Sequence, residues 1–220
     1  MIPISPLARS AWRQARWLVL APHADDETLG AGALIAHASG CGTLAGIAYL
    51  TDGSARHSHD TEQDRIDLVE QRRREAADAI ATLTGVRAHP PLFLDWPDAH
   101  PFERESNAFA RTVQRLSHIC NLQQVNAIAV TAGNEPHCDH VSAAELAHAV
   151  ARSLKWATDV FEYLVWADQG PNKAADAIRT PAMSLRLRQT ALNCHRSQLS
   201  SKPGSGFVLP HGMRQMRRTD

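Results

Sequence analysis

The sequence is poor in long hydrophobic runs, in net charge and in paired cysteines, and each shortage removes a class of protein. No stretch approaches the ~18 consecutive apolar residues that span a bilayer. The first segment, MIPISPLARSAWRQARWLVLAP, has no apolar core after a basic start, so it does not read as a secretory leader. Lys and Arg total 23 against 23 Asp and Glu, which leaves no excess of positive charge to recruit nucleic acid. The four cysteines, Cys41, Cys120, Cys138 and Cys194, form no C-x-x-C pair. That argues against a thiolate zinc site, a thioredoxin-like motif or a disulfide framework, and it fits a reducing cytoplasm. No G-x-G-x-x-G follows the first apolar run, so a nucleotide-binding domain lacks its fingerprint there. There is no internal repeat and no linker.

What is present is an alternation of short apolar runs with longer segments of helical period. Strands are expected at 17–22, 43–51, 91–95, 126–131 and 160–166, with helices at 29–38, 62–84, 103–119, 141–156 and 182–199. Apolar, non-alternating strands separated by helices predict an α/β fold: a mostly parallel sheet with helices on both faces. Residues 1–200 read as one domain and 201–220 as a polar, basic tail or lid. In such sheets ligands gather beyond the carboxyl ends of the strands.

Two stretches at those ends carry chemistry. APHADDETLG (21–30) places His23, Asp25, Asp26 and Glu27 directly after the first strand. TAGNEPHCDHVSA (131–143) places His137, Asp139 and His140 after the fourth. Acidic residues at a helix start favour its dipole, which explains the carboxylates but not the imidazoles. Two mixed clusters at one sheet edge suggest a shared ion. A catalytic zinc takes three His, Asp or Glu ligands and keeps one position open. His23, one aspartate of the 25–26 pair and His140 supply that set; spacing does not decide which aspartate. The remaining aspartate and His137 are then free for acid–base work, and Asp139 can fix the His137 tautomer and favour its charged form.

PHADDETLGAG resembles the P-H-P-D-D-E motif of the LmbE/PIG-L family of zinc-dependent N-deacetylases, and PHCDHVSA is similar to its H-P-D-H-V motif. YLTDG (49–53), RRREAADAIATLTGV (72–86), LFLDWPD (92–98) and ALNCHRSQ (191–198) stand in the family's order. Ala24 and Cys138 stand where the family usually has proline. The resemblance implies a Rossmann-like three-layer sandwich and one zinc ion per chain, held by His23, Asp26 and His140, with other divalent ions possible substitutes. It implies Asp25 as general base, His137 as oxyanion stabiliser and Asp139 behind it. The implied substrate is an N-acetylglucosamine-type sugar or glycoconjugate. A non-sugar or thiol-conjugate amide is the alternative, and a non-catalytic nucleotide-binding module or inactive interaction module is disfavoured.

Further expectations concern the rim. Arg72 aligns with an arginine that holds a substrate hydroxyl or phosphate in some members, although a solvated arginine explains RRR equally well. Asp95 and Asp98 are candidates for sugar hydroxyls, and His195 for lining the site, with a packed helix histidine the plainer reading. Asp52 reads as a turn residue, and His57 and His59 as a polar loop at the pocket rim. Trp96 and Trp166 are candidates for stacking on a sugar, whereas Trp17 and Trp156 pack. The oligomeric state is open, with a homo-oligomer compatible.

Overall fold

The computed structural model describes residues 4–54, 61–86, 90–166 and 177–199. His57, His59 and the 201–220 tail lie outside the described residues.

Five strands make one parallel sheet: β2 (Trp17–Ala21), β3 (Leu44–Thr51), β4 (Leu92–Trp96), β5 (Ala127–Thr131) and β6 (Asp159–Tyr163), in the order β4-β3-β2-β5-β6. From β2 the chain winds outward to β3 and β4, then returns to lay β5 on the other side of β2. The winding direction therefore reverses between β2 and β5, and their carboxyl ends frame a crevice.

Every residue of β2 and β5 is buried, as a sheet covered on both faces requires. Alternate residues feed two cores. Trp17, Val19, Ile47 and Tyr49 pack with Ile35, Ala76, Ile80 and Leu83, which belong to α2 (Gly32–Gly40) and α3 (Glu62–Thr84). Leu18, Leu20, Leu50, Ile128 and Val130 pack with Phe109, Leu116 and Leu146, from α4 (Asn107–Leu122) and α5 (Cys138–Ser153). Burying two such faces is the main stabilisation, at roughly 25 cal/mol per Å² of apolar surface. α3 begins where sequence chemistry says it should: Thr61 and Asp64 form a reciprocal capping box, and Gly85 ends it with a left-handed φ of 72°.

Some elements depart from the sequence expectation. The first helix starts earlier, as α1 (Asp26–Gly30), and breaks at Ala31 before α2. Gly30 is obligatory there, because a Cβ would run into the Tyr163 ring. α5 starts at Cys138 rather than 141, which places Asp139 and His140 in its first turn. β6 stops at Tyr163, so Trp166 stands in the loop beyond it. The final helical segment divides into α6 (Leu185–Leu192) and α7 (Arg196–Leu199). A short parallel pair, β1 (Ile4–Pro6) with β7 (Ala177–Arg179), carries no period the sequence could signal. No helix among the described residues is long and apolar enough to cross a membrane.

Candidate metal centre

The crevice holds three short segments. After β2, the chain turns through His23 and Ala24 into α1. Asp25 makes that turn with φ 138°, a region that costs a non-glycine residue on the order of 1–3 kcal/mol. After β5, Ala132–Pro136 lead to His137, which caps α5 by accepting the Asp139 backbone N–H on Nδ1 at 3.3 Å. After β4, Asp98 and Ala99 close the third side.

These segments bring together the residues singled out from the two motifs. Asp26 Oδ2 lies 3.2 Å from His23 Nδ1 and 3.3 Å from His140 Nε2. His23, Asp26 and His140 present ligand atoms all within 4.8 Å of one another, and so do His23, His137 and Asp139. Asp26 and His140 are fully enclosed, whereas His23 and His137 each leave 14% of their side chains exposed. The open side of the cluster is therefore the His23–His137 side. Among the described residues, both ring nitrogens of His140 are buried and neither makes a well-formed hydrogen bond, although Nε2 faces Asp26 Oδ2. A buried imidazole in that condition, facing a carboxylate and a second imidazole, suits a divalent cation better than a protein partner.

Asp139 differs from the expectation. Its Oδ2 accepts from His23 Nε2 at 3.0 Å and from Ala99 N–H at 2.9 Å, and lies 3.8 Å from His137 Nδ1. The Asp139 backbone, rather than its carboxylate, sets the His137 tautomer: Nδ1 accepts, so Nε2 is the protonated position. Asp98 Oδ1 also faces His23 Nε2, at 3.3 Å. His23 is thus oriented at one nitrogen by two carboxylates and turned toward Asp26 at the other.

The electrostatics separate the adjacent aspartates. Burial, and after it the negative charge of Asp26, push Asp25 up to about 8. Asp26 is equally buried, but the His140 and His23 imidazoles outweigh burial and hold it below the usual carboxylate range. Burial opposes a charge on His23, yet contacts with Asp139, Asp26 and Asp98 raise it well above its ordinary value. Two neighbouring carboxylates with pKa values driven apart are a functional signature.

The rim candidates fare unequally. Asp98 joins the cluster. Arg72 is buried, with Nη1 donating to the Gly53 carbonyl. Asp95 is half exposed and pairs with Arg73 at 2.5 Å, so it is not gathered with the clusters. His195 is 1% exposed, with Nε2 3.0 Å from Glu27 Oε1, the packed histidine of the plainer reading. Trp96 is corrected outright: it is 0% exposed, bonds Thr112 Oγ1 and packs on Phe102 and Phe109, so it cannot stack on a ligand. Trp166 does stand by the cluster, its ring centroid 6.4 Å from His137 and 6.2 Å from His140. Asp52 makes the expected turn, accepting from Ser54 N–H, and also pairs with Arg65.

One residue was missed. Glu135, two positions before His137, is buried, accepts the backbone N–H groups of Val165 and Trp166, and lies 3.7 Å from His140 Nδ1. It ties the Trp166 wall to the deepest imidazole. The NEPH segment carries a glutamate near two histidines, a weak signal, since nothing in the spacing says that it turns inward.

The sequence matches the PIG-L family, described as GlcNAc-PI de-N-acetylase, over residues 18–151, more than half of the chain. The chain belongs to the PIG-L family. No curated protein is similar enough in sequence to count as a match. The shape of this PIG-L member resembles the N,N'-diacetylchitobiose deacetylase of Pyrococcus horikoshii, with TM-score 0.68 and 21% identity over 88% of this chain and 74% of the other. It also resembles an antimicrobial pseudoaglycone deacetylase (TM-score 0.63, 19% identity, 88% and 87% covered). A third similar structure is a teicoplanin deacetylase in a zinc-inhibited form (TM-score 0.61, 17% identity, 84% and 85% covered). At these identities the structural likenesses establish the α/β fold alone.

Proposed function

We propose that this PIG-L member is a metal-dependent N-deacetylase acting on an N-acetylglucosamine-type sugar or glycoconjugate. The observation that carries the reading is the convergence of His23, Asp26 and His140 within ligand distance, with Asp25 and His137 beside them. The similar structures are deacetylases of a chitobiose, a pseudoaglycone and teicoplanin by description, which favours a saccharide-bearing substrate.

His23, Asp26 and His140 would hold one divalent ion per chain. Two imidazoles and a carboxylate suit zinc first and accept other divalent ions. When bound, such an ion polarises an amide carbonyl and acidifies a water molecule. The chain's own groups do the rest. Asp25, next in sequence to the ligand Asp26, accepts the water's proton as the oxygen attacks the acetyl carbon. His137, protonated at Nε2, donates to the oxyanion that forms. As the C–N bond breaks, the proton held at Asp25 passes to the leaving amine, giving acetate and the free amino sugar. Asp139 and Asp98 orient His23 at Nε2 and leave Nδ1 for the ion. Trp166 offers an apolar wall beside His137 for a sugar face.

The test is acetate release from N-acetylglucosamine conjugates by metal-loaded protein, compared with larger N-acyl amides. Release that Asp25→Ala abolishes, with metal retained, supports the reading. Cleavage of larger amides in preference to acetylated sugars contradicts the substrate class.

A further inference from the structure

Packed against the loop that carries Asp25 is a second, buried polar group to which the proposed reaction gives no role. Glu27, Thr28, His195 and Gln198 are all buried. Glu27 accepts on Oε2 from the Asp25 backbone N–H at 2.8 Å, and on Oε1 from Thr28 Oγ1 at 2.5 Å and from His195 Nε2 at 3.0 Å. The Gln198 side-chain amide donates to the Ala24 carbonyl. Ala24 C=O and Asp25 N–H are the two polar ends of one peptide plane. That plane is held at its oxygen by Gln198 and at its nitrogen by Glu27.

The plane needs holding. Asp25 has φ 138°, and a non-glycine residue relaxes from that region unless its neighbours over-determine it. Rotation of the 24–25 peptide would relieve the strain and swing the Asp25 side chain, and both hydrogen bonds oppose it. Two of the holding groups come from the far end of the chain. His195 and Gln198 lie on α7 or at its start, beyond the 18–151 family match. α7 is itself moored to α3, where Glu75 accepts from Ser197 N–H at 3.1 Å and from Ser197 Oγ at 2.7 Å.

We propose that Gln198 and His195 are positioning residues: through Ala24 and Glu27 they clamp the Ala24–Asp25 peptide plane and hold the Asp25 carboxylate in place for proton transfer. The clamp rests on the deacetylase reading for its catalytic meaning, but not for its existence. The hydrogen bonds of the two side chains among the described residues go to Glu27 and the Ala24 carbonyl, not to His23, Asp26 or His140, so the clamp acts on kcat and leaves KM and metal content alone.

Gln198→Met keeps the volume, adds no charge and removes the donor. His195→Leu removes the other, whereas His195→Gln retains a donor at the Nε2 position. The experiment measures kcat, KM, bound metal and amide hydrogen exchange of the 21–28 segment in full-length protein. Misplacing a general base by about 1 Å costs roughly 10²-fold, so Gln198→Met and His195→Leu should each lose kcat on that scale with KM and metal unchanged. Exchange should accelerate in 21–28 and stay at the wild-type rate in β5 and α5. His195→Gln should keep kcat within about fivefold, the scale of one hydrogen bond. Wild-type kcat and protection in Gln198→Met, or acceleration spread evenly over the chain, would overturn the clamp. Failure of the wild type to release acetate from any acetylated sugar would instead sink the deacetylase reading, while the exchange pattern still decides the clamp.

Discussion

Asp26 Oδ2 stands between two imidazoles, 3.2 Å from His23 Nδ1 and 3.3 Å from His140 Nε2. The two histidines lie 117 positions apart and meet because β2 and β5 are neighbours at the point where the sheet reverses its winding. A carboxylate caught between two imidazoles, one of them with no well-formed hydrogen bond on either nitrogen among the described residues, is the geometry on which the proposed cation site rests. The consequences differ residue by residue.

His140→Ala should lose the metal, and acetate release with it. The ring is 0% exposed, and its removal leaves Asp26 with one imidazole and a void. Bound metal measured after dialysis against metal-free buffer checks this; a full complement of metal in the variant contradicts the ligand assignment.

Asp25→Asn should behave oppositely, retaining metal while turnover falls by roughly 10²–10⁴-fold, the contribution usual for a positioned general base. Turnover within tenfold of wild type would remove Asp25 from that role. Paired metal and rate measurements on the same sample distinguish the two aspartates, which spacing alone leaves undecided.

The same substitution has a pH signature in metal-stripped protein. Burial and Asp26 push Asp25 up to about 8, so the folded state keeps a proton that the unfolded chain has released above about 4. The folded state binds more protons in that window, and stability therefore falls as pH rises from about 4 to about 8. Asparagine carries no such penalty. The Tm of Asp25→Asn relative to wild type should climb across that window and level off above it; a constant difference would mean that the carboxyl is not perturbed.

Glu135→Gln should weaken metal binding by roughly 10–100-fold without abolishing it, as outer carboxylates behind a ligating histidine do. The same variant loosens the Val165 and Trp166 backbone, because an amide accepts on one oxygen where the carboxylate accepts on two. Competition with a chromophoric chelator reads the affinity, and Trp166 fluorescence reads the wall. Unchanged affinity would confine Glu135 to anchoring the loop.

Much of this site was readable from the chain because the fold repeats one arrangement. Unalternating apolar runs such as WLVLA and AIAVT declare strands buried on both faces, and in a parallel sheet the residues just past the end of such a strand face the crevice. His23, Asp26 and His140 could be placed together on that ground and on the motif resemblance. Residues that act alone were not readable. Glu135 belongs to no periodic pattern, and Gln198, although it ends the ALNCHRSQ stretch, has no spacing that turns it inward; tertiary packing sets the direction of both. Trp96 ends one strand and Trp166 lies beyond another, yet Phe102 and Phe109 cover the first and Glu135 presents the second. The Asp139 carboxylate went to His23 because Ala99 and Asp98, from the β4 loop, complete that corner, a contact across forty residues that no local spacing encodes.

The most direct test of the account is metal stoichiometry, by elemental analysis of untagged protein purified without chelators and then supplied with zinc. Close to one ion per wild-type chain is expected, and well below one for His140→Ala. No ion in wild type, with none taken up on adding zinc, would mean that His23, Asp26 and His140 do not form a metal centre, and the proposed reaction would fall with it.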